Sequence, residues 1–241
     1  MEKLFKEVTI ILAKNSFLIS LDDRILRTPN KQIYTLPTLE LATEIVAEWR
    51  AQEVEVDPKT MPLTIIAGTA VDRVALNIAE TVEVIVRYAS TDLLCYRASE
   101  PVDLVEKQTT ILQPLLDWTS SNLGVPLKVT QGIVPIKQDT EVIVRLRARL
   151  AGYDHFWLTA MHDLTRSLGS IFLSLAVVEN YIDVERAFTV SHLEEEFQES
   201  KWGIDFEATE RRDAVRIEAI TAARFLKLIM GKPMVNYSAG K

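Results

Sequence analysis

Hydrophobic positions at the start of the chain follow the short, β-branched pattern of strands. Four apolar runs have this character, at residues 8–12, 17–21, 25–26 and 33–36. Polar residues at 14–16 and 22–23 separate the first three runs and supply the turns between them. Because the connections are short, neighbouring strands must run in opposite directions. The pattern therefore predicts an antiparallel β-meander.

The period of the pattern then changes to that of a helix. Thr38 is a candidate N-cap, and Leu41, Ile45 and Trp49 recur every fourth residue, which places them on one apolar stripe. This helix can cover the meander, and Trp49 on its stripe is expected to be a structural core residue. Asp57, followed by a proline, marks the predicted boundary between a β-rich N-terminal domain, residues 1–57, and a helical domain, residues 58–241.

The second domain is predicted to be mainly helical. Helices are expected at residues 102–123, 141–150, 156–178, 184–201 and 206–230, with short strands at 92–97 and 127–130. The segment 167–176 mixes small and large apolar side chains, which indicates a helix at the centre of the bundle. The predicted fold class is α+β: an N-terminal antiparallel β-meander with a covering helix, followed by a mainly helical, orthogonal-bundle C-terminal domain.

Charge is unevenly distributed along the chain. The net charge is −7, and residues 191–213 contain eight acids and three bases, a local net charge of −5. A negative protein repels phosphate backbones, so the composition argues against nucleic acid as a partner. A surface built from this segment would instead bind a partner that is basic or rich in hydrogen-bond donors.

Residue patterns typical of enzymes are missing from the sequence. The three histidines have no metal-binding spacing, and the glycines form neither a phosphate-binding loop nor a nucleophile elbow. Cys95 lies in an apolar run and is expected to be a buried thiol. The sequence therefore predicts no enzymatic activity, no metal and no cofactor. The rival interpretation is a small-molecule enzyme that uses His162 and Asp163 in a site between the two domains.

One acidic segment is the best candidate for a binding surface. Glu194, Glu195 and Gln198 lie on a predicted helix that ends at Trp202-Gly203. Glu194 is expected to be half-buried beside the apolar stripe and stacked over Gln198. A run of charges is usually a solvated helix face, but an indole next to carboxylates is common at protein interfaces. We therefore name Glu194, Glu195, Gln198 and Trp202 as the candidate partner-binding residues.

Several short motifs resemble, in order, those of one known family. They lie at residues 5–8, 21–29, 48–49, 61–64, 92–97, 115–118, 168–170 and 194–198, with the Trp-Gly pair at 202–203. The resemblance covers nearly the whole chain, from about residue 5 to residue 226. The family is that of the F-type ATP synthase assembly factors, which chaperone the α subunit in mitochondria and have bacterial relatives.

The resemblance implies a function without enzymatic turnover. Members of the family bind the newly made α subunit, whose exposed apolar, strand-bearing surface would otherwise self-associate, and release it when the β subunit arrives. The resemblance also implies a β-containing N-terminal domain and a helical C-terminal domain. A glutamate of the acidic motif is important in the family, and by position it corresponds to Glu194.

The sequence also gives expectations about location and assembly. Met1 stands four residues before the first motif, and the intervening residues resemble neither a signal peptide nor a transit peptide. Residues 167–178 form the longest charge-free apolar stretch of the helical half, shorter than the roughly 18–20 residues that cross a bilayer. We expect a soluble protein of a bacterial cytoplasm, or of the mitochondrial matrix if a presequence is absent from this sequence. It should be a monomer when free; the alternative is a homodimer joined through the acidic segment.

Overall fold

The computed structural model describes residues 3–132 and 134–230 and divides the chain into two units. The first unit combines residues 3–81, 152–160 and 224–230, and the second combines residues 82–132, 134–151 and 161–223. The predicted boundary after Asp57 lies inside the first unit. Independent folding of residues 1–57 stays a prediction.

A three-stranded antiparallel sheet opens the first unit. Its strands are β1 (Val8–Ala13), β2 (Ser16–Leu21) and β3 (Arg24–Ile25), with β2 in the middle. The predicted fourth run is not a strand: residues 33–36 make only two isolated bridges, Arg27 with Ile33 and Phe17 with Leu36. The meander is therefore confirmed, but it is shorter than predicted.

Helix α1 (Leu39–Arg50) packs on this sheet. Thr38 caps it as predicted, because its Oγ1 accepts a hydrogen bond from the Leu41 amide at 3.3 Å. Leu41, Ile45 and Trp49 are all buried. The ring of Phe5 meets the Trp49 indole edge to face at a centroid distance of 5.6 Å. Trp49 thus occupies the core position expected for a structural residue.

Helix α2 (Pro62–Asp72) follows α1 and has no side-chain cap of its own. Its first amides are instead bound by Glu48 of α1. The two carboxylate oxygens of Glu48 accept hydrogen bonds from the Leu63 amide at 2.7 Å and from the Thr64 amide at 2.8 Å, and the Thr64 hydroxyl donates at 2.7 Å. Glu48 therefore satisfies donors that every helix start leaves free.

The remaining elements are mostly helical. They are α3 (Ile78–Arg87), α4 (Val102–Asn122), α5 (Thr140–Leu150), α6 (His155–Leu168), α7 (Ile171–Val178), α8 (Val184–Ser191), α9 (Leu193–Trp202) and α10 (Phe206–Ile229). Two short parallel strands, β4 (Tyr96–Arg97) and β5 (Thr130–Gln131), replace the longer strands predicted at 92–97 and 127–130. Pro114 lies within α4, which continues through it. The α+β fold class is confirmed.

Two predicted long helices are each broken in the structure. The helix expected at 156–178 stops at Gly169, whose φ of +62° reverses the chain, and α7 restarts with Ser170 as its N-cap. The helix expected at 184–201 is interrupted at His192. Six consecutive residues of α7, from Ile171 to Ala176, are buried, which confirms that the small-residue segment lies in the core of the second unit.

Candidate functional site

A surface groove of about 380 Å³ lies in the second unit. Three of the four predicted partner-binding residues, Glu194, Glu195 and Gln198, line it. The other lining residues come from the 93–96 segment, α4, α8 and α9, and they are Leu93, Tyr96, Gln108, Leu112, Val190, Ser191 and Leu193. The groove therefore combines an apolar floor with an acidic rim.

The break before α9 places the acidic run at a helix start. His192 has non-helical backbone angles, and α9 begins at Leu193, so Glu194, Glu195 and Glu196 all fall in its first turn. Carboxylates are favoured there by the positive end of the helix dipole. The position at the start of α9 therefore gives the acidic run a structural role that does not depend on a binding partner.

Glu194 is held by a buried amide that sequence reasoning missed. Gln108 of α4 is only 1% exposed. Its Nε2 donates to Glu194 Oε1 at 2.6 Å, and its Oε1 accepts from the Ala98 amide at 2.7 Å. Glu194 itself is exposed rather than half-buried, and its partner is Gln108 rather than Gln198. The carboxylate is thus anchored through one oxygen, while the Glu194 side chain as a whole faces solvent.

The other charges of α9 are divided between paired and unpaired groups. Among the described residues, its ion pairs are made by Glu199, which binds Arg212 at 2.7 and 2.9 Å, and by Lys201, which binds Asp103 at 2.8 Å. The hydrogen bonds that Arg212 donates to Glu199 raise the pKa of Arg212, and the charges of Glu195 and Glu196 add to this effect. The rim carboxylates Glu194 and Glu195 therefore face the groove without a cation bound to them in the described chain.

Trp202 lies on the same side of α9 as the rim but does not line the groove. It follows Glu195 by seven residues, two helical turns, so the two side chains share a face about 10 Å apart along the axis. The Trp202 side chain is 80% exposed, and Ile204 and Phe206, which follow it, are also largely exposed. Sequence reasoning found Trp202 but not these two neighbours, which extend the apolar surface past the end of α9.

A fully buried acid lies behind the wall of the groove. Asp92 precedes the lining residue Leu93 and accepts hydrogen bonds from the Ser170 hydroxyl at 2.8 Å, the Leu94 amide at 3.1 Å and the Phe172 amide at 3.4 Å. Burial raises the pKa of Asp92 to about 7, although these hydrogen bonds oppose the shift. Asp92 therefore ties the groove wall to the start of the core helix α7.

The residues of the enzymatic alternative, His162 and Asp163, lie outside the groove. His162 Nδ1 and Asp163 Oδ1 lie 3.2 Å apart, both side chains are partly exposed, and neither lines the groove. Cys95 is buried as predicted, and burial, with a contribution from the Asp92 charge, raises the pKa of its thiol to about 12. A thiol of that pKa is not an activated nucleophile.

Neither a metal-binding cluster nor a single membrane-spanning helix occurs in the described part of the chain. Within residues 3–132 and 134–230, no group of three or more His, Cys, Asp or Glu side chains could hold a metal ion. Over the same residues, no individual helix combines the length and apolarity needed to cross a membrane. Residues 62–76 and 78–95 reach that threshold only as a pair, and the pair is bent at its break.

Comparisons with known proteins agree with this architecture. The family model described as ATP12 chaperone protein matches residues 2–120. Protein atp12, mitochondrial, of Schizosaccharomyces pombe is 27% identical over 214 residues, covering 83% of this chain and 73% of that protein.

Solved structures of bacterial proteins match over almost the full length. Atp12 from Paracoccus denitrificans is 39% identical with a TM-score of 0.92, covering 95% of this chain and 98% of that one. An aspartate-to-lysine mutant of the same protein matches equally well. The Atu1473 protein of Agrobacterium tumefaciens is 36% identical with a TM-score of 0.89, covering 95% of this chain and 86% of that one. The chain therefore belongs to the ATP12 chaperone family, the family of ATP synthase assembly factors that its motifs resemble.

Proposed function

We propose that this ATP synthase assembly chaperone holds the free α subunit of the F-type enzyme until the β subunit replaces it. The observation that carries the proposal is the acidic groove beside α9, whose rim carboxylate Glu194 is fixed by the buried amide of Gln108. A carboxylate that is held in place before binding loses little conformational freedom when a partner's cation arrives.

The chemistry of this surface defines the partner segment it would accept. Glu194 and Glu195 offer carboxylate oxygens to a lysine or an arginine, and Gln198 adds an amide on the same rim. Leu112 and Leu193 supply an apolar floor, and the exposed indole of Trp202 supplies an anchor beyond the groove. These features support a client segment that carries both a basic and a large apolar side chain.

A direct test is retention of purified α subunit by the immobilised chaperone, with and without excess β subunit. We expect retention of the α subunit alone and its release when β is added. Glu194→Lys should weaken retention at least tenfold, because it places a cation where the partner's cation would bind. Glu106→Lys is the matched control: it makes the same charge change on an exposed residue of α4, about 200° around the helix from Gln108.

The two parts of the proposal fail in different ways. Absence of α-subunit retention by the wild-type chain at micromolar concentration would rule out this client. Retention that Glu194→Lys leaves unchanged would keep the client but exclude the acidic groove as its binding site. Circular dichroism of each variant, with an unchanged spectrum and unfolding midpoint, is needed before either result is interpreted.

Location and assembly state belong to the same proposal. Relatives match from a mitochondrion and from bacteria. We place this chain in a bacterial cytoplasm, with the mitochondrial matrix as the alternative, and we expect it to be a monomer when free. Sedimentation of the free chain separates this from a homodimer joined through the acidic segment, in which the groove would be occupied by a second copy.

A further inference from the structure

The outer edge of strand β1 differs from the opposite edge of its sheet. The sheet has the order β1-β2-β3, so β1 and β3 are its two edges. On the β3 side the chain continues into bridges that cover the end of β2, where Phe17 exchanges two 2.9 Å hydrogen bonds with Leu36. On the other side, no strand within residues 3–132 and 134–230 pairs with β1.

Hydrogen bonds of β2 show which backbone groups of β1 face outward. Phe17 and Ile19 bond to the β3 side, through Leu36 and Leu26, so the alternate residues of β2 must bond to β1. The register pairs those alternate residues with Thr9, Ile11 and Ala13. The N–H and C=O groups of Val8, Ile10 and Leu12 therefore point away from the sheet.

One of these outward groups is already occupied. The Arg50 guanidinium donates to the Val8 carbonyl through Nε at 3.2 Å and Nη2 at 2.6 Å. The backbone groups of Ile10 and Leu12, by contrast, make no cross-strand hydrogen bond in the described residues. They leave two donors and two acceptors in a row, which is the pattern that an added strand would satisfy.

The sequence of β1 has none of the usual protections of an edge strand. Natural edges carry charges, prolines or bulges that prevent another chain from pairing with them. Val8–Ala13 has no charged residue and no proline, and all six of its residues pair in simple register with β2. Its far end is accessible, since Ile11 is 40% exposed and Leu12 is 77% exposed.

We propose that the outer edge of β1 binds an extended segment of the client by β-strand addition, pairing with the backbone of Ile10 and Leu12. The identity of that client rests on the proposed function. Main-chain hydrogen bonds supply the affinity in this binding mode, so the edge would accept many sequences. Such tolerance suits a chaperone whose client exposes strands until its neighbouring subunits assemble with it.

The size of the edge argues for a client rather than a second copy. One short strand pair supplies only a small part of the roughly 1,200–2,000 Å² that a stable, specific interface buries. A symmetric dimer joined only through β1 would therefore be weak. A client that also contacts a separate surface gains from both contacts and is still released when a better partner arrives.

The test uses the full chain, purified α subunit and the variant Leu12→Pro. Proline removes the outward N–H of Leu12 and introduces a ring where the added strand would lie, but it breaks no bond to β2. We expect α-subunit binding to weaken at least fivefold. Leu4→Pro is the matched control, the same substitution at a leucine outside the strand that is 83% exposed. It should bind as wild type does.

Amide hydrogen exchange gives a readout that does not depend on a variant. In the free chain, the Ile10 and Leu12 amides should exchange at least tenfold faster than those of Thr9 and Ile11, which lie in the ladder. Addition of the α subunit should slow the exchange of Ile10 and Leu12. Fast exchange of these two amides in the complex, or equal binding by wild type and Leu12→Pro, would overturn the inference while the proposed client stands.

Two further outcomes are distinguishable. If wild type does not bind the α subunit, the proposed function fails first, and this inference fails with it. If the free chain sediments as a dimer and Leu12→Pro sediments as a monomer, the edge is a contact between two copies, and client binding at β1 is excluded.

Discussion

Two regions of the second unit use a carboxylate in opposite ways. At the start of α7, Asp92 is fully buried and accepts hydrogen bonds from one hydroxyl and from backbone amides. In the groove, Glu194 is exposed and is held by the single amide of Gln108. Asp92 is thus surrounded by donors from its own chain, whereas Glu194, the acid proposed to bind the client, is anchored once and is otherwise left open.

Glu48 in the first unit follows the structural pattern. Both of its oxygens accept hydrogen bonds at the start of α2, and burial raises its pKa as it does for Asp92. Glu48 and Asp92 should therefore affect stability when they are changed, and Glu194 should affect binding. Variants of these acids and of Gln108 should separate the two kinds of effect, and the largest change in the free energy of unfolding is expected at Asp92.

The largest effect is expected from the pH dependence that Asp92 contributes. Its pKa is about 7 in the folded chain and 3.8 without perturbation, so the folded state favours the proton. The stability that protonated Asp92 contributes is therefore fully present below pH 3.8 and is lost as the pH rises through about 7. Asp92→Asn, which cannot ionise, should remove a decline on the order of 3 kcal/mol between pH 5 and pH 8.

Urea unfolding at four pH values across that range measures the decline. Asp103→Asn is the control, because the hydrogen bond from Lys201 lowers the pKa of that exposed carboxyl group and keeps it ionised from pH 5 to pH 8. It should leave the slope unchanged. Identical slopes for wild type and Asp92→Asn would mean that the donors around Asp92 fully offset its burial.

A smaller loss is expected from Glu48→Gln. The amide group that replaces one carboxylate oxygen would point a donor at the donors of Leu63 or Thr64, which leaves a buried helix start unsatisfied. We expect the free energy of unfolding to fall by about 2 kcal/mol. The measurement is urea unfolding at constant pH.

Glu44→Gln is the matched control for that variant. It makes the same change one turn earlier on α1, where the carboxylate forms a half-exposed ion pair with Arg224 at 2.6 Å. Such pairs contribute about 0.5 kcal/mol or less. If the two variants lose equal stability, Glu48 contributes no more than a surface charge does, and its assignment as a structural acid like Asp92 is wrong.

Local patterns in the sequence were enough for some elements but not for others. The α1 stripe was predictable because Leu41, Ile45 and Trp49 repeat at helical spacing. The break between α6 and α7 was missed because apolar residues continue across it. Gly169 and Ser170 were the available signals, a left-handed residue followed by a helix cap, and the hydrophobic pattern outweighed them.

The break at His192 had a weaker signal. Neither glycine nor proline marks it. Instead, the Ser191 hydroxyl donates to the Phe188 carbonyl at 2.8 Å, and His192 Nδ1 lies 3.1 Å from the same oxygen. Side chains that bond to the preceding turn in this way compete with the helix backbone. A serine followed by a histidine is not specific enough to predict this competition from the sequence.

The acidic residues of the candidate site were predictable from the sequence, but Gln108, which holds Glu194 in place, was not. A run of three glutamates before a tryptophan stands out in any reading of the sequence. Gln108, by contrast, is separated from Glu194 by 86 positions, and no local period can join them. The usable signal was a polar residue on an apolar stripe, since Gln108 lies four residues from both Leu104 and Leu112, which are buried.

The smallest stability effect and the most specific binding effect are expected from Gln108→Met. Methionine fills a similar volume but cannot bond to Glu194 or to the Ala98 amide, so we expect a loss of about 1 kcal/mol in unfolding. Affinity for the α subunit should fall about fivefold, because Glu194 is no longer held in one position. Gln113→Met is the matched control, since Gln113 lies on the exposed side of the same helix and, among the described residues, its side chain bonds to Asp117 alone.

A double-mutant cycle shows whether Gln108 acts through Glu194. If Gln108 only positions that carboxylate, Glu194→Gln together with Gln108→Met should weaken α-subunit binding no more than the stronger single variant does. Additive losses would mean that each side chain contributes separately. In that case Glu194 would bind the α subunit without being positioned by Gln108, and only its exposure would distinguish it from Asp92.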